Sequence, residues 1–194
     1  MTTIQIPNDY PVELVPPDIS PYRNGNAGVD WVHRLESGRP GPVVGITAIV
    51  HGNEPCGAIA LDWLLREAIR PTAGTLVLAF ANTEAYSRFD PADPNATRWV
   101  DEDLNRVWSP EVLDGPRDSV ELRRARALRP VIDEIDLLLD IHSMQPPTEP
   151  LMLAGPLPQG RELARAVAVP ATVVSDAGHA AGRPLREYGG FADP

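Results

Sequence analysis

Val43-Val44-Gly45-Ile46-Thr47-Ala48-Ile49-Val50-His51-Gly52-Asn53-Glu54-Pro55 is the stretch from which the rest of the chain is read. Residues 43–50 form a continuous apolar run rich in β-branched side chains, the pattern of a central strand buried on both faces. Pro55 suits the first turn of a helix. Ala58, Leu61, Leu65 and Ala68 then recur at helical spacing, which predicts an amphipathic helix over 55–70. His51 and Glu54 therefore stand in the turn between a buried strand and a helix.

Working outward, residues 75–81 and 136–141 read as two more buried strands. The second delivers His142 in the run Asp140-Ile141-His142-Ser143. Residues 1–28 are rich in Pro, Asn and Gly and read as an extended arm, 30–35 as an edge strand, and 37–42 as a turn. Residues 82–103 read as a long loop, and loops of that length inside compact domains are usually functional or disordered. Residues 119–135 are a charged amphipathic helix that Pro130 is expected to break or kink. A short strand over 151–154, a helix over 160–167 and a strand over 171–175 follow. From Asp176 the chain is Gly- and Pro-rich and closes no further element. Strands alternating with helices predict a three-layer α/β domain. Some strands are expected to run antiparallel, because 82–116 is not a simple helical crossover.

Composition narrows the classes. A chain of 194 residues can bury one sizeable core, and 43% hydrophobic with 23% charged residues is ordinary for a globular domain. The net charge of −10 argues against nucleic acid and anionic membrane surfaces as partners. Local arginines can still reverse the field inside a cleft. No apolar run approaches the ~20 residues of a membrane span, and Met1 to Pro7 has no basic n-region or apolar h-region of a signal peptide. Cys56 is the only cysteine, which fits a reducing, cytoplasmic setting. The 22 prolines predict stiff loops.

Two imidazoles and a carboxylate, His51, Glu54 and His142, are the ligand set of a catalytic zinc whose fourth position is left to water. A close pair plus a third ligand from a distant strand is the spacing of a catalytic rather than a finger-type site. His-x-x-Glu alone is weak, and a strand-end histidine is often just a hydrogen-bonded residue. The reading gains weight from His142 at the end of a separate strand. It gains more from Arg98-Trp99-Val100-Asp101-Glu102-Asp103-Leu104-Asn105-Arg106. Arg106 with Asn105 suits a substrate carboxylate, since the guanidinium fork matches that geometry. Arg98 suits a developing oxyanion. Asp103 suits the far nitrogen of a metal-bound imidazole, His51 in particular. The plain alternative for this segment is a solvated, salt-bridged loop. Cys56 reads as a small buried residue, His179 as a solvated loop histidine, and His33 has no assigned role. The Ser143 hydroxyl is expected only to tie down its loop. Gly-x-Ser-x-Gly and Gly-rich phosphate loops are absent.

Taken together, His51-Gly52-Asn53-Glu54, Arg98 with Asp103-Leu104-Asn105-Arg106, and Asp140-Ile141-His142-Ser143 resemble the succinylglutamate desuccinylase/aspartoacylase family of zinc carboxypeptidase-like hydrolases. The likeness covers about residues 43–145. It implies a three-layer α/β/α carboxypeptidase-like fold with a mixed sheet. It also implies zinc-dependent hydrolysis of the amide bond of an N-acyl amino acid or related small carboxylate, with one zinc per chain. By position, His51, Glu54 and His142 match the zinc ligands, Arg98 the carbonyl-polarising arginine, and Asn105 and Arg106 the carboxylate-binding pair.

One departure follows. The family carries a general-base glutamate on a strand well beyond its last zinc histidine, and then a β-rich C-terminal domain. This chain ends 52 residues after His142, and its last glutamate, Glu187, lies in Gly-rich sequence. The expectation is a catalytic domain over 1–194 truncated before the base, which binds zinc but hydrolyses poorly. Two alternatives remain: a non-catalytic metal- or carboxylate-binding domain, and a carboxypeptidase acting on peptides. Association into a homo-oligomer stays open.

Overall fold

Val43–Ala48 (β2) lies inside a four-stranded sheet. Val32–Glu36 (β1), Thr75–Phe80 (β3) and Leu137–Ile141 (β4) complete it in the order β1-β3-β2-β4. The computed structural model describes residues 12–144, 148–189 and 191. Residues 1–11 of the expected arm, and the final Asp193-Pro194, lie outside the described residues. β2 runs parallel to both neighbours, pairing Ala48 with Phe80 and with Ile141, whereas β1 pairs antiparallel to β3. The sheet is therefore mixed, as the sequence predicts.

Side-chain alternation on β3 divides the core into two. Val77 and Ala79 pack with Leu122, Ala125, Leu128 and Ile132 of α4 (Val120–Ile132). Leu78 and Phe80 pack with Ala58 and Leu61 of α1 (Pro55–Arg66). One helix thus covers each face, giving the three layers of a carboxypeptidase-like α/β/α domain. Pro130 lies inside α4, yet the helix continues to Ile132. An interior proline costs about 3 kcal/mol. Burying Leu122, Leu128, Val131 and Ile132 returns about 1.5–3 kcal/mol each, so packing outweighs the proline.

Several elements depart from the sequence reading. β4 is an edge strand rather than a buried one: among the described residues it pairs with β2 alone, and Leu137 and Leu139 are 38% and 39% exposed. The 82–103 region carries a short helix, α2 (Thr83–Tyr86), capped by Asn82, and a 3-10 turn at Pro94–Thr97. Another short helix, α3 (Pro110–Leu113), follows, capped by Ser109. Leu151–Leu153 (β5) and Thr172–Val174 (β6) pair parallel in a separate two-stranded sheet, joined by α5 (Pro158–Val167). The tail forms a 3-10 turn at Leu185–Glu187, with Leu185 and Tyr188 buried in the core and Trp108 N donating to Arg183 O. Among the described residues no helix is long and apolar enough to cross a membrane.

α1 stops at Arg66 instead of reaching residue 70, and the reason is its C-terminal geometry. Ala68 adopts φ +50°, its N–H donates to Leu65 O, and Ile69 N–H donates to Leu64 O. That is a Schellman closure with alanine where glycine is usual. Left-handed backbone costs an L-residue about 1–2 kcal/mol, and glycine loses part of that gain to its extra unfolded-state freedom. Ala68→Gly is therefore expected to stabilise the fold by about 0.5–1 kcal/mol, read as a raised urea midpoint with an unchanged slope. A lowered midpoint would show that the methyl packs usefully.

Candidate metal centre and its arginine loop

The carboxyl ends of β2 and β4 lie side by side, and each chain leaves the sheet through a histidine. After β2 comes His51-Gly52-Asn53-Glu54. Gly52 N–H donates to Arg98 O at 2.9 Å, and a Cβ on Gly52 would come within 2.5 Å of both Thr97 O and the Ala85 carbonyl carbon. Only a glycine lets the motif lie this close to the backbone that carries Arg98. Glu54 sits at the N-cap of α1, yet its side chain makes no cap hydrogen bond. It turns towards the histidines instead.

Glu54 is buried, and its two oxygens each meet an imidazole. Oε1 lies 2.8 Å from His51 Nδ1 and Oε2 lies 2.8 Å from His142 Nδ1. The ligand atoms of the three residues lie within 4.8 Å of one another, and the two rings are 5.1 Å apart. The opposite nitrogens face a second pair of carboxylates: His51 Nε2 is 2.9 Å from Asp103 Oδ1, and His142 Nε2 is 2.7 Å from Asp140 Oδ2. Thr47 Oγ1 donates to Asp140 Oδ1 at 2.5 Å.

The charges respond to these contacts. Burial pushes the Glu54 carboxyl up, but hydrogen bonds from His142 and His51 outweigh it and hold the group well below the usual carboxylate range. Burial likewise acts upward on Asp103, and its contacts with His51, Asn105 N–H and Arg106 bring it down to about 2. Burial disfavours charge on His142, whereas Asp140 and Glu54 raise it well above an ordinary histidine.

This arrangement fits a divalent cation. Both Nδ1 atoms point at one carboxylate, and both Nε2 atoms are fixed by a carboxylate behind them, which is the support metal-binding histidines normally have. Two imidazoles and a carboxylate are a donor set that suits zinc.

Arg98 spans the cluster: Nη1 donates to Glu54 Oε1 at 3.1 Å and Nη2 lies 3.0 Å from His51 Nε2. Its guanidinium also stacks over Trp99 at 5.6 Å. Asp103 caps a 3-10 turn at Leu104–Arg106 by accepting from Asn105 N–H at 2.8 Å. Asn105 Oδ1 accepts from Leu185 N–H at 2.9 Å, which turns its NH2 end away from that bond. Arg106 donates to Asn105 O at 2.6 Å and lies 3.8 Å from Asp103 Oδ2. His51, Glu54, His142, Arg98 and Asp103 thus form one contact network through His51 and Glu54, and Asn105 and Arg106 follow on the turn that Asp103 caps.

Sequence reasoning gave no role to Asp140 or Thr47. Asp140 had a local signal, two residues before His142, whereas Thr47 had none, because its part depends on the strand register that sets it beside Asp140. The remaining candidates take local roles. Ser143 meets Glu54 through its backbone N–H at 3.2 Å rather than its hydroxyl. Burial pushes the Cys56 thiol up, and Sγ lies 3.5 Å from His142 O. His33 Nε2 meets Tyr22 O at 2.9 Å, and His179 Nδ1 accepts from Ala181 N–H. The Glu187 carboxylate lies 3.4 Å from Arg186 Nη2 and rests on the Gly178 turn.

Solved structures align with this fold. No curated protein matches the chain. Murine aminoacylase 3 superposes with a TM-score of 0.55 at 25% identity, over 76% of this chain and 51% of its own. An aspartoacylase family protein from Mesorhizobium loti gives 0.58 at 22% identity, over 82% of this chain and 49% of its own. A succinylglutamate desuccinylase from Vibrio cholerae gives 0.57 at 14% identity, over 84% and 52%; at 22% and 14% identity these last two speak for the fold alone. The chain spans about half the length of these solved relatives. The model of the succinylglutamate desuccinylase/aspartoacylase catalytic domain matches residues 40–184, a span that holds the histidines, Glu54 and the whole arginine loop, and the chain belongs to that family.

Proposed function

We propose that this chain carries the zinc centre of a hydrolase that cleaves the amide of an N-acyl amino acid or a similar small carboxylate. The observation that carries the reading is Glu54 meeting both imidazoles, each imidazole backed by its own aspartate. In this reading His51, Glu54 and His142 hold one zinc per chain. A zinc ion bound there would supply Lewis acidity, polarising a carbonyl and lowering the pKa of a coordinated water.

The chain's own residues do the rest. Asp103 and Asp140 keep the Nε2 protons in place, so that both Nδ1 atoms face the metal position. Arg98, now donating to Glu54, is close enough to donate instead to an oxygen that gains charge during attack. Arg106 and the Asn105 NH2 bind the substrate carboxylate and set the amide over the centre. These arginines give an acidic chain a local preference for a small anion. The general base is assigned to no residue among 1–194. Glu187 has Arg186 as a partner at 3.4 Å, and loss of a general base, wherever it lies, costs a factor of about 10²–10⁴ in rate. The Asn105–Arg106 pair would serve a peptide C-terminus equally well, so peptides belong in the substrate panel.

Purified chain is expected to hold about one zinc, with affinity measured by chelator competition. His142→Ala should abolish tight binding. Asp140→Asn should weaken it about 10–100-fold, and Thr47→Val by less, because it acts through Asp140. Zinc affinity unchanged in both His142→Ala and Asp140→Asn would remove the metal centre from this reading.

The second test is turnover on N-acetyl and N-succinyl amino acids beside short peptides. Where turnover is measurable, Arg98→Ala should lower kcat about 10²–10³-fold. Arg106→Ala should instead raise KM about 10–100-fold, the loss of one charge-assisted contact. Strong turnover by the 194-residue chain would place a base within it and make Glu187 the first residue to mutate.

A further inference from the structure

Glu121 is the second residue of α4 and is fully buried, yet among the described residues it has no arginine, lysine or histidine as an ion-pair partner. A buried carboxylate is tolerated only when its lone pairs are filled. Here they are filled by one stretch of backbone and one side chain. Oε1 accepts from Val100 N–H at 2.7 Å and from Asn82 Nδ2 at 3.1 Å. Oε2 accepts from Asp101 N–H at 3.0 Å and Glu102 N–H at 3.2 Å.

The same stretch answers back to the start of α4. Asp101 Oδ2 accepts from Val120 N–H at 2.8 Å, and Glu102 Oε1 accepts from Ser119 Oγ at 2.6 Å. Three consecutive amides are therefore bound to one carboxylate, while Asp101 binds the first N–H of the helix that supplies it and Glu102 holds its Ser119 cap. These amides lie between Arg98 and Asp103, the two loop residues that touch His51.

We infer that Glu121 is a positioning residue that clamps Val100, Asp101 and Glu102 so that Arg98 and Asp103 meet His51 and Arg106 is presented on the following turn. The role rests on the proposed function for its catalytic meaning, though the clamp itself is a property of the fold. It acts at a distance from the metal ligands: Glu54 and His142 hold each other without it. Loss of the clamp should therefore separate anion binding from metal binding.

Glu121→Gln keeps the volume but sets an NH2 against backbone N–H groups, donor against donor. Hydrogen exchange is expected to accelerate about tenfold or more at the amides of residues 100–102, with β2 and β3 unchanged. Affinity for N-acetylglycine, measured by calorimetry on the zinc-loaded chain, should fall about 10–100-fold, while zinc affinity falls by less than in His142→Ala. Unchanged exchange at residues 100–102, or exchange raised equally throughout the chain, overturns the inference. So does N-acetylglycine affinity equal to that of the parent. Should Glu121→Gln fail to fold, Asp101→Asn weakens the same clamp from its exposed side. It is expected to give the same local pattern at about threefold, and its absence there overturns the inference. A parent chain that binds neither zinc nor N-acetylglycine defeats the functional reading, and exchange at residues 100–102 still decides the clamp.

Discussion

Glu54 joins two strands that are far apart in sequence. Its oxygens meet Nδ1 of His51, which leaves β2, and Nδ1 of His142, which leaves β4. For both contacts to form, the strands must end at the same level. Parallel pairing of Ala48 with Ile141 ensures that they do. It also explains why the site lies where open α/β sheets generally hold their ligands, beyond the carboxyl ends of the strands. The helix that follows β2 then begins at Pro55, which leaves Glu54 just outside the helix and free to turn inward.

The arginine loop depends on the same rim but reaches it differently. Gly52 lies against the backbone of Thr97, so the loop touches the His51–Glu54 turn by main chain before any side chain takes part. Arg98 and Asp103 then approach His51 with opposite charges. With the Nε2 proton given to Asp103, the Arg98 guanidinium is a neighbouring positive charge at 3.0 Å that donates to Glu54 instead, so the site is locally balanced inside a chain of net charge −10. Exposed ion pairs contribute little, but the Arg98–Glu54 and Asp103–His51 contacts are largely buried and hydrogen-bonded, which is where charged contacts fix geometry.

The strands were readable because their signals are local. Val43 to Ala48 and Thr75 to Phe80 are apolar runs with β-branched residues, and His51 and His142 follow directly from where such runs stop. What escaped the sequence depends on distant partners. β4 reads as buried from its leucines, and its exposure is set by the absence of a second neighbour among the described residues. α2 is one turn long, too short for periodicity, and only the Asn82 cap announces it. Glu121 looks like an ordinary first-turn acid. Its value as an anchor appears only when residues 100–102 fold over it.

His142 shows why this cluster suits the metal proposed for it. Both of its nitrogens face carboxylates at hydrogen-bond distance, Nδ1 to Glu54 and Nε2 to Asp140. A ring so placed is favoured as the imidazolium, in keeping with its raised affinity for protons. In the proposed reading Nδ1 of His142 would be the atom offered to a cation, and Asp140 would hold the proton on Nε2. In that reading proton and cation would compete for one position, so zinc affinity would fall as pH falls. Thr47 matters in the same way. By donating to the other oxygen of Asp140, it holds that carboxylate in the orientation His142 requires under either occupant.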